Sequence, residues 1–341
     1  MIVPCRNEAA HIGAFLESLL DQELDGLSCE FLIADGMSDD GTRELLAQWQ
    51  PRFRHPFLVL DNEERFVSHG LNRAIRRARG QIIIRMDVHS VYASDYIRQC
   101  VAVLQQGHAD NVGGPALPQG ESYIERAICL AYQSKFGCGG ARFHDPNYEG
   151  YVDTVTYGCW WKSTLERLGG FDEEFIRNQD DELNLSLIRQ GGKIWQTPKI
   201  RSWYRPRSSL GTLARQYAQY GYWKTKVIRK HAIPASWRHL VPGAFALALL
   251  VFGLAAIFLP SCRYLFAALL GVYLACGLAA GIIACRKWQD PSVLPMMPIV
   301  FAAYHLPYGL GFLHGLWDLA MRRKPPVAAS ALVRSARAAS K

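Results

Sequence analysis

Gln81-Ile82-Ile83-Ile84-Arg85-Met86-Asp87-Val88-His89-Ser90 is the stretch on which the reading of this chain turns. A short apolar run ends in an acid, and a histidine follows two residues later. Runs of this length bounded by polar residues read as strands covered on both faces, as in a parallel sheet. In an extended segment, residues i and i+2 point the same way. Asp87 and His89 are therefore expected to converge just past the strand's carboxyl end, where open α/β sheets bind ligands. A carboxylate beside an imidazole suits a divalent metal, Mn²⁺ or Mg²⁺, and a metal there can hold a diphosphate. Taken alone, such a pair is more often a solvated turn, and the rest of the chain decides.

Working outward, Ile2-Val3-Pro4 reads as a strand that starts abruptly, as if a few residues had been lost before it. Asn7 and Glu8 open a helix whose apolar positions Ile12, Phe15, Leu16, Leu19 and Leu20 have helical spacing. Phe31 to Ala34 is a second strand, ending at Asp35 before the turn Gly36-Met37-Ser38-Asp39-Asp40-Gly41-Thr42. A helix with Leu45, Leu46 and Trp49, a strand Phe57 to Leu60, and a basic helix from Val67 to Arg79 lead back to the opening stretch. Strands alternating with helices imply βαβ units and a mostly parallel sheet. Two of the strands end in an aspartate, Asp35 and Asp87.

Further on, Tyr123 to Phe136 reads as a helix, Gly137 to Gly150 as a glycine-rich cover for an active site, and Thr154 to Tyr157 as a strand. A helix opens at Asn178-Gln179-Asp180-Asp181-Glu182-Leu183 and continues through Leu187 and Ile188. Acids in a first turn are favoured by the helix dipole, but three in succession exceed what capping needs. Neither G-x-x-x-x-G-K-[ST] nor G-x-G-x-x-G follows the first strand, which argues against an ATPase or an NAD enzyme.

The chain has 341 residues, half of them hydrophobic, and a formal charge of +8. Its basic residues cluster beside apolar segments, at Lys224, Lys226, Arg229 and Lys230 and at Arg322, Arg323 and Lys324. Anionic lipid fits that placement better than nucleic acid does. The nine cysteines form no C-x-x-C pair, so reduced cysteines facing the cytosol are expected rather than a zinc site or a disulfide framework. No basic, then apolar, leader opens the chain. Leu240 to Pro260 and Tyr264 to Cys285 are apolar runs of about the twenty residues a membrane span requires. Leu294 to Met321 is a third, interrupted by prolines and expected to be broken or re-entrant if Arg322 and Arg323 are to stay inside. Leu213, Tyr217, Tyr220, Val227 and Ile228 lie near helical spacing among cations, as in a basic amphipathic helix at a membrane interface.

Five pieces then carry a resemblance: Val3-Pro4-Cys5-Arg6-Asn7-Glu8, Asp35 to Thr42, Met86-Asp87-Val88-His89, Gly169-Gly170-Phe171-Asp172, and Gln179-Asp180-Asp181-Glu182-Leu183. In that order over about two hundred residues, the chain resembles the family 2 glycosyltransferases of GT-A fold. Its subgroup is similar to the succinoglycan-biosynthesis ExoA type, on the D-x-H variant and Arg215-Gln216-Tyr217-Ala218-Gln219-Tyr220-Gly221-Tyr222-Trp223-Lys224. The resemblance implies an α/β, Rossmann-like catalytic domain over residues 1–210; the basic and apolar patterns after it are read as an interface helix over 211–238, a transmembrane region over 239–323 and a disordered tail over 324–341.

The resemblance also implies roles. Pro4, Glu8, Asp35 and Asp87 would bind the nucleotide-sugar donor, and Asp87 with His89 would hold the metal, His89 standing where the family usually has a second acid. Asp180 would be the catalytic base of an inverting transfer, preferred to Asp181 because it lies three residues before Leu183 and shares its face. Gln216, Gln219, Trp223 and Lys224 would meet the acceptor. The implied reaction passes a hexose, glucose from UDP-glucose, to a lipid-diphosphate-linked saccharide in exopolysaccharide biosynthesis, with the catalytic domain on the cytoplasmic side of the inner membrane. The alternatives are a polyprenyl-phosphate hexose synthase and, from another class, an inactive scaffold of an export complex, which Gln179 in place of the family's glutamate would favour.

Overall fold

The computed structural model describes residues 1–323; the tail expectation, 324–341, lies outside the described residues. In chain order the elements are β1 (Ile2–Cys5), α1 (Ile12–Leu20), β2 (Phe31–Asp35), α2 (Thr42–Trp49), β3 (Phe57–Asp61), α3 (Val67–Arg77) and β4 (Ile82–Ile84). Then come β5 (Ser90–Tyr92), α4 (Tyr96–Gln105), β6 (Asn111–Gly114), β7 (Leu117–Pro118), α5 (Tyr123–Tyr132) and α6 (Lys135–Cys138). After these follow β8 (Gly150–Tyr151), β9 (Thr156–Trp161), α7 (Lys162–Leu168), α8 (Gln179–Arg189), β10 (Ile194–Gln196) and β11 (Ser202–Tyr204). Four long helices complete the described chain: α9 (Leu210–His231), α10 (Val241–Phe258), α11 (Pro260–Lys287) and α12 (Met297–Ala320).

These elements form two compact units, one of Met1–Gly120, Gly140–Phe175 and Gln179–Pro206, the other of Glu121–Gly139, Ile176–Asn178 and the chain from Arg207 onward. In the first unit β1, β2 and β3 pair in parallel. Every residue of β2 is buried, because helices cover both faces of its sheet. Burying each large apolar side chain there contributes about 1.5–3 kcal/mol. A second sheet, ordered β4-β9-β6-β10-β8, is mixed, since β9 runs antiparallel to both β4 and β6. The bridge between Ile2 and Arg85 ties the two sheets together, and Met86 N donates to Ile2 O at 3.0 Å. A third, small sheet is ordered β5-β11-β7.

The regular part of β4 ends at Ile84, two residues sooner than the apolar run suggests. At Asp87 the chain turns: Ser90 N donates to Asp87 O at 3.2 Å. Residues i and i+2 share a direction only in extended backbone, and the chain from Asp87 to Ser90 is a turn.

In the second unit, α5 packs through Ala127, Ile128 and Ala131 on Met297, Phe301 and Tyr304 of α12. Contacts thus group Glu121–Gly139 with the C-terminal helices, whereas a sequence boundary at residue 210 leaves it with the catalytic domain. The glycine-rich stretch after it divides between the units: α6 belongs to the second, while a 3₁₀ turn at Arg142–His144 and β8 belong to the first.

Three helical segments are long and apolar enough to cross a membrane: Trp237–Phe258, Pro260–Lys287 and Pro291–Ala320, with mean hydropathies of 2.5, 2.2 and 1.3. The third is not broken in the way its prolines suggest. Pro295 lies in a leading 3₁₀ turn and Pro298 in the first turn of α12, where no backbone N–H is needed, and the helix runs on through Pro307. Helix α9 packs along α12 at backbone contact. A Cβ on Gly221 would lie 2.0 Å from Tyr308 O, and one on Gly311 would lie 2.0 Å from Ala218 O. Small residues are what allow helices to approach this closely.

Candidate active site

The site of the first unit lies at the carboxyl ends of β1, β2 and β4. Past β1 the chain turns at Asn7, whose φ is +56°, a left-handed conformation that asparagine tolerates better than most residues. Asn7 is held there by Ser38 Oγ, which accepts from its backbone N–H at 2.8 Å, and by paired side-chain and backbone bonds with Asp39 at 3.0 Å. Thr42 Oγ1 accepts from Glu8 N at 2.8 Å, and Asp40 accepts from Ala9 N at 3.1 Å. The acidic turn after β2 is therefore a scaffold that aims Glu8.

Asp35 is wholly buried. Its carboxylate accepts from Ser38 Oγ at 2.5 Å, Ser38 N at 3.1 Å and Arg43 at 2.9 Å. Arg43 also reaches Asp61 at the end of β3, at 2.7 Å, and that bond leads the causes that raise its pKa. Asp35 thus shapes the loop that carries Glu8, and its carboxylate has no solvent-facing surface for a nucleobase. Pro4 sits within β1, opposite Ala34.

Asp87 is clamped from below. Its backbone N–H donates to Tyr92 Oη at 2.6 Å, and Tyr92 Oη donates to Asp87 O at 3.2 Å. Tyr157, also in the left-handed region, meets Ser90 through its hydroxyl. Burial pushes both tyrosines' pKa values up, so they act as neutral hydrogen-bonding groups. Asp87 Oδ1 accepts from His89 N at 3.0 Å. The His89 imidazole points elsewhere: its Nε2 lies 3.0 Å from Glu8 Oε1, and its ring centroid is 5.0 Å from that of His11. Structure therefore gathers Glu8, His11 and His89, whose ligand atoms all lie within 4.8 Å of one another. Burial, then the neighbouring His89, holds His11 below the usual imidazole pKa. Two imidazoles and a carboxylate are a donor set that fits Mn²⁺.

Asp180 lies in the first turn of α8 and pairs with Arg85, which follows β4. The Arg85 side chain is only 6% exposed, whereas that of Asp180 is 43% exposed. Burial alone would lower the Arg85 pKa, but the Asp180 and Asp87 carboxylates outweigh it and raise it. One buried guanidinium thus stands between the acid expected at the donor and the acid expected to be the base. The Arg85 contact agrees with the face assigned to Asp180 from Leu183. Ile188, however, is exposed, and the buried side of α8 is completed by Gln179, Glu182, Asn184, Leu185 and Leu187.

The residues expected at the acceptor all lie on α9, in the second unit. Gln216 accepts from Arg207 Nε at 3.1 Å and donates to Tyr220 Oη at 2.7 Å. Gln219 accepts from Arg177 Nε at 3.1 Å. Trp223 and Lys224 are buried, at 3% and 5% exposure, in the stretch of α9 where Gly221 and Thr225 meet α12. The sequence pattern near residue 223 does not announce this burial.

Two residues of the site escaped sequence reasoning. His11 stands three residues after Glu8, and Glu-x-x-His spacing puts both on one side of a helical turn. Arg85 sits inside the opening stretch itself, where a lone cation ending an apolar run needs a partner if it is buried.

The family model described as glycosyl transferase family 2 matches residues 1–145. A succinoglycan biosynthesis protein, ExoA of Rhizobium meliloti, is 32% identical over 94% of this chain and 96% of its own length. The chain belongs to glycosyltransferase family 2. A second member of similar sequence, from Methanococcus voltae, is a dolichyl N-acetyl-α-D-glucosaminyl phosphate 3-β-D-2,3-diacetamido-2,3-dideoxy-β-D-glucuronosyltransferase. It is 27% identical over 93% of this chain and 96% of its own length. Among solved structures, the mannosyltransferase PcManGT of Pyrobaculum calidifontis, in complex with GDP-Man and Mn²⁺, aligns with a TM-score of 0.59. It is 22% identical and covers 93% of this chain and 86% of its own, a likeness that establishes the shared GT-A fold. As a family 2 glycosyltransferase the protein is an enzyme of glycan biosynthesis.

Proposed function

We propose that this glycosyltransferase moves glucose from UDP-glucose, with inversion, to a lipid-diphosphate-linked saccharide. The observation that carries the mechanism is the half-exposed Asp180 carboxylate held by buried Arg85 at the end of β4. Inversion needs one carboxylate to take the acceptor hydroxyl's proton during in-line attack on the anomeric carbon. Asp180 has that chemistry and that exposure, and Arg85 fixes its position. A divalent metal, held by His89 with neighbouring donors, would offset charge on the departing diphosphate. Gln216 and Gln219 are the acceptor contacts that this reading retains. An intact Asp180, held by Arg85, weighs against the scaffold reading that Gln179 suggested.

Burial of Trp223 and Lys224 favours one second reading, in which the acceptor is a polyprenyl phosphate and no sugar stacks on α9. Both are tested by incubating membranes with labelled nucleotide sugars and extracting the lipid. Label from UDP-glucose is expected in the extract only when a lipid-diphosphate-linked saccharide is supplied. Label on polyprenyl phosphate alone would transfer the proposal to the second reading, and no labelled lipid from any donor would overturn both.

For the membrane, we infer a hairpin of α10 and α11 with the catalytic unit on the cytoplasmic side of the inner membrane. The basic residues Lys226, Arg229 and Lys230 before α10 support that orientation. Helix α12 is read as lying with α9 at the interface. It meets the hairpin at Pro242, Gly243, Ala246, Gly277 and Gly281, all in the half remote from the turn at Leu259. Carrying α9 into the hydrocarbon beside it would bury several cations, at about 2.5–3.5 kcal/mol each. The arrangement also leaves Arg322 and Arg323 on the cytoplasmic side. A variant with Cys262 as its sole cysteine, next to the hairpin turn, should react with a membrane-impermeant maleimide in cells whose outer barrier alone is opened. Reaction only after the inner membrane is dissolved would reverse the topology.

A further inference from the structure

Glu8, His11 and His89 reach one place from three local structures: the loop after β1, the residue that begins α1, and the turn after β4. Their ligand atoms lie within 4.8 Å of one another. Helix capping does not account for the gathering. His11 stands at the N-cap position of α1, yet its side chain makes no capping bond. Glu8 is anchored through its backbone, to Thr42 Oγ1, which leaves its carboxylate directed at His89. The Glu8 side chain is 16% exposed and that of His89 44% exposed, so an ion from solvent has access. Asp87 Oδ1 accepts from the His89 backbone, and Asp87 is not one of the three gathered residues.

We propose that Glu8, His11 and His89 form a two-histidine, one-carboxylate site for a divalent transition-metal ion, with His11 and Glu8 as ligands beside His89. It rests on the glycosyl-transfer reading for its consequence only, since the donor set itself does not depend on which sugar moves. Two imidazoles favour Mn²⁺, Co²⁺ or Zn²⁺ over Mg²⁺ and Ca²⁺, which prefer all-oxygen shells. Three protein ligands leave coordination positions for oxygens of a nucleoside diphosphate, the group whose charge such an ion offsets when bound. Asp87 then acts on the ion from outside this set, or on the donor directly.

The test uses the full chain in detergent, stripped of metal and titrated with MnCl₂ while free Mn²⁺ is followed by electron paramagnetic resonance. Pulsed measurements on the bound ion count coupled imidazole nitrogens. Wild type should bind Mn²⁺ with couplings from two imidazoles, and a large excess of Mg²⁺ should not displace it. His11→Ala should weaken binding by about 10–100-fold or more and leave one imidazole coupling. His11 is exposed, so this change leaves the core intact. Asp87→Asn should keep both couplings. One coupling or none in wild type, or unchanged Mn²⁺ affinity in His11→Ala, would overturn the site. Two couplings in a protein that transfers no sugar would leave the metal site standing and remove the glycosyl-transfer reading. Transfer from UDP-glucose with a single coupling would do the reverse.

Discussion

Asp180→Asn should cut sugar transfer by about 10²–10⁴, the usual contribution of a positioned general base, while UDP still binds. Asparagine keeps an oxygen that can accept from Arg85, so the hydrogen bond survives and only the proton-accepting charge is lost. Asp181→Asn should keep most of its rate. The two acids are neighbours on α8, and neighbouring helical residues point about 100° apart. Only one can share the direction of Leu183, which is buried against the sheet. Asp180 has that direction and reaches Arg85 at the end of β4. Turnover by each variant, together with UDP affinity from calorimetry, decides the matter. A dead Asp181→Asn beside an active Asp180→Asn would move the base by one residue.

What could be read from the sequence was whatever is encoded locally. Apolar runs between helical patterns gave the parallel strands β1 to β3 and the strand β4, whose ladder partner β9 runs antiparallel. The face of Asp180 followed from its three-residue distance to Leu183. What could not be read depends on partners far away in the chain. Arg85 and Asp180 are 95 positions apart, and no pattern around Arg85 names its acid. Trp223 and Lys224 look like a surface aromatic and a surface cation in the sequence, yet both are buried. Period-2 logic also misses a local feature next to the opening strand: the backbone turns at Asp87, and the His89 imidazole meets Glu8. His11 was visible in Asn7-Glu8-Ala9-Ala10-His11, but helix-start chemistry explained the same letters at less cost.

Asp180 and Arg85 should differ sharply in what their removal does to stability. Taking one partner from a buried ion pair typically costs about 3–5 kcal/mol, because the other is left as an uncompensated buried charge. Here the burial is one-sided. Arg85 is the buried member, while Asp180 is 43% exposed and can be hydrated if left alone. Asp180→Ala strands the guanidinium, whose Nε already has no partner in its buried setting, with Asp87 as the remaining nearby acid. Its cost should approach the lower end of that range, reduced by Asp87. Arg85→Met removes the desolvated charge together with its unsatisfied donor, and fills the space with an apolar side chain. It should change stability by less than about 1.5 kcal/mol, in line with the small effect of replacing buried charge by packed apolar groups. Activity should nevertheless fall in Arg85→Met, since Asp180 loses the group that fixes its position. Denaturant or thermal unfolding of the two variants, read beside their kcat and KM, separates the roles. If Arg85→Met unfolds more easily than Asp180→Ala, the guanidinium holds the fold at the end of β4 rather than positioning the base.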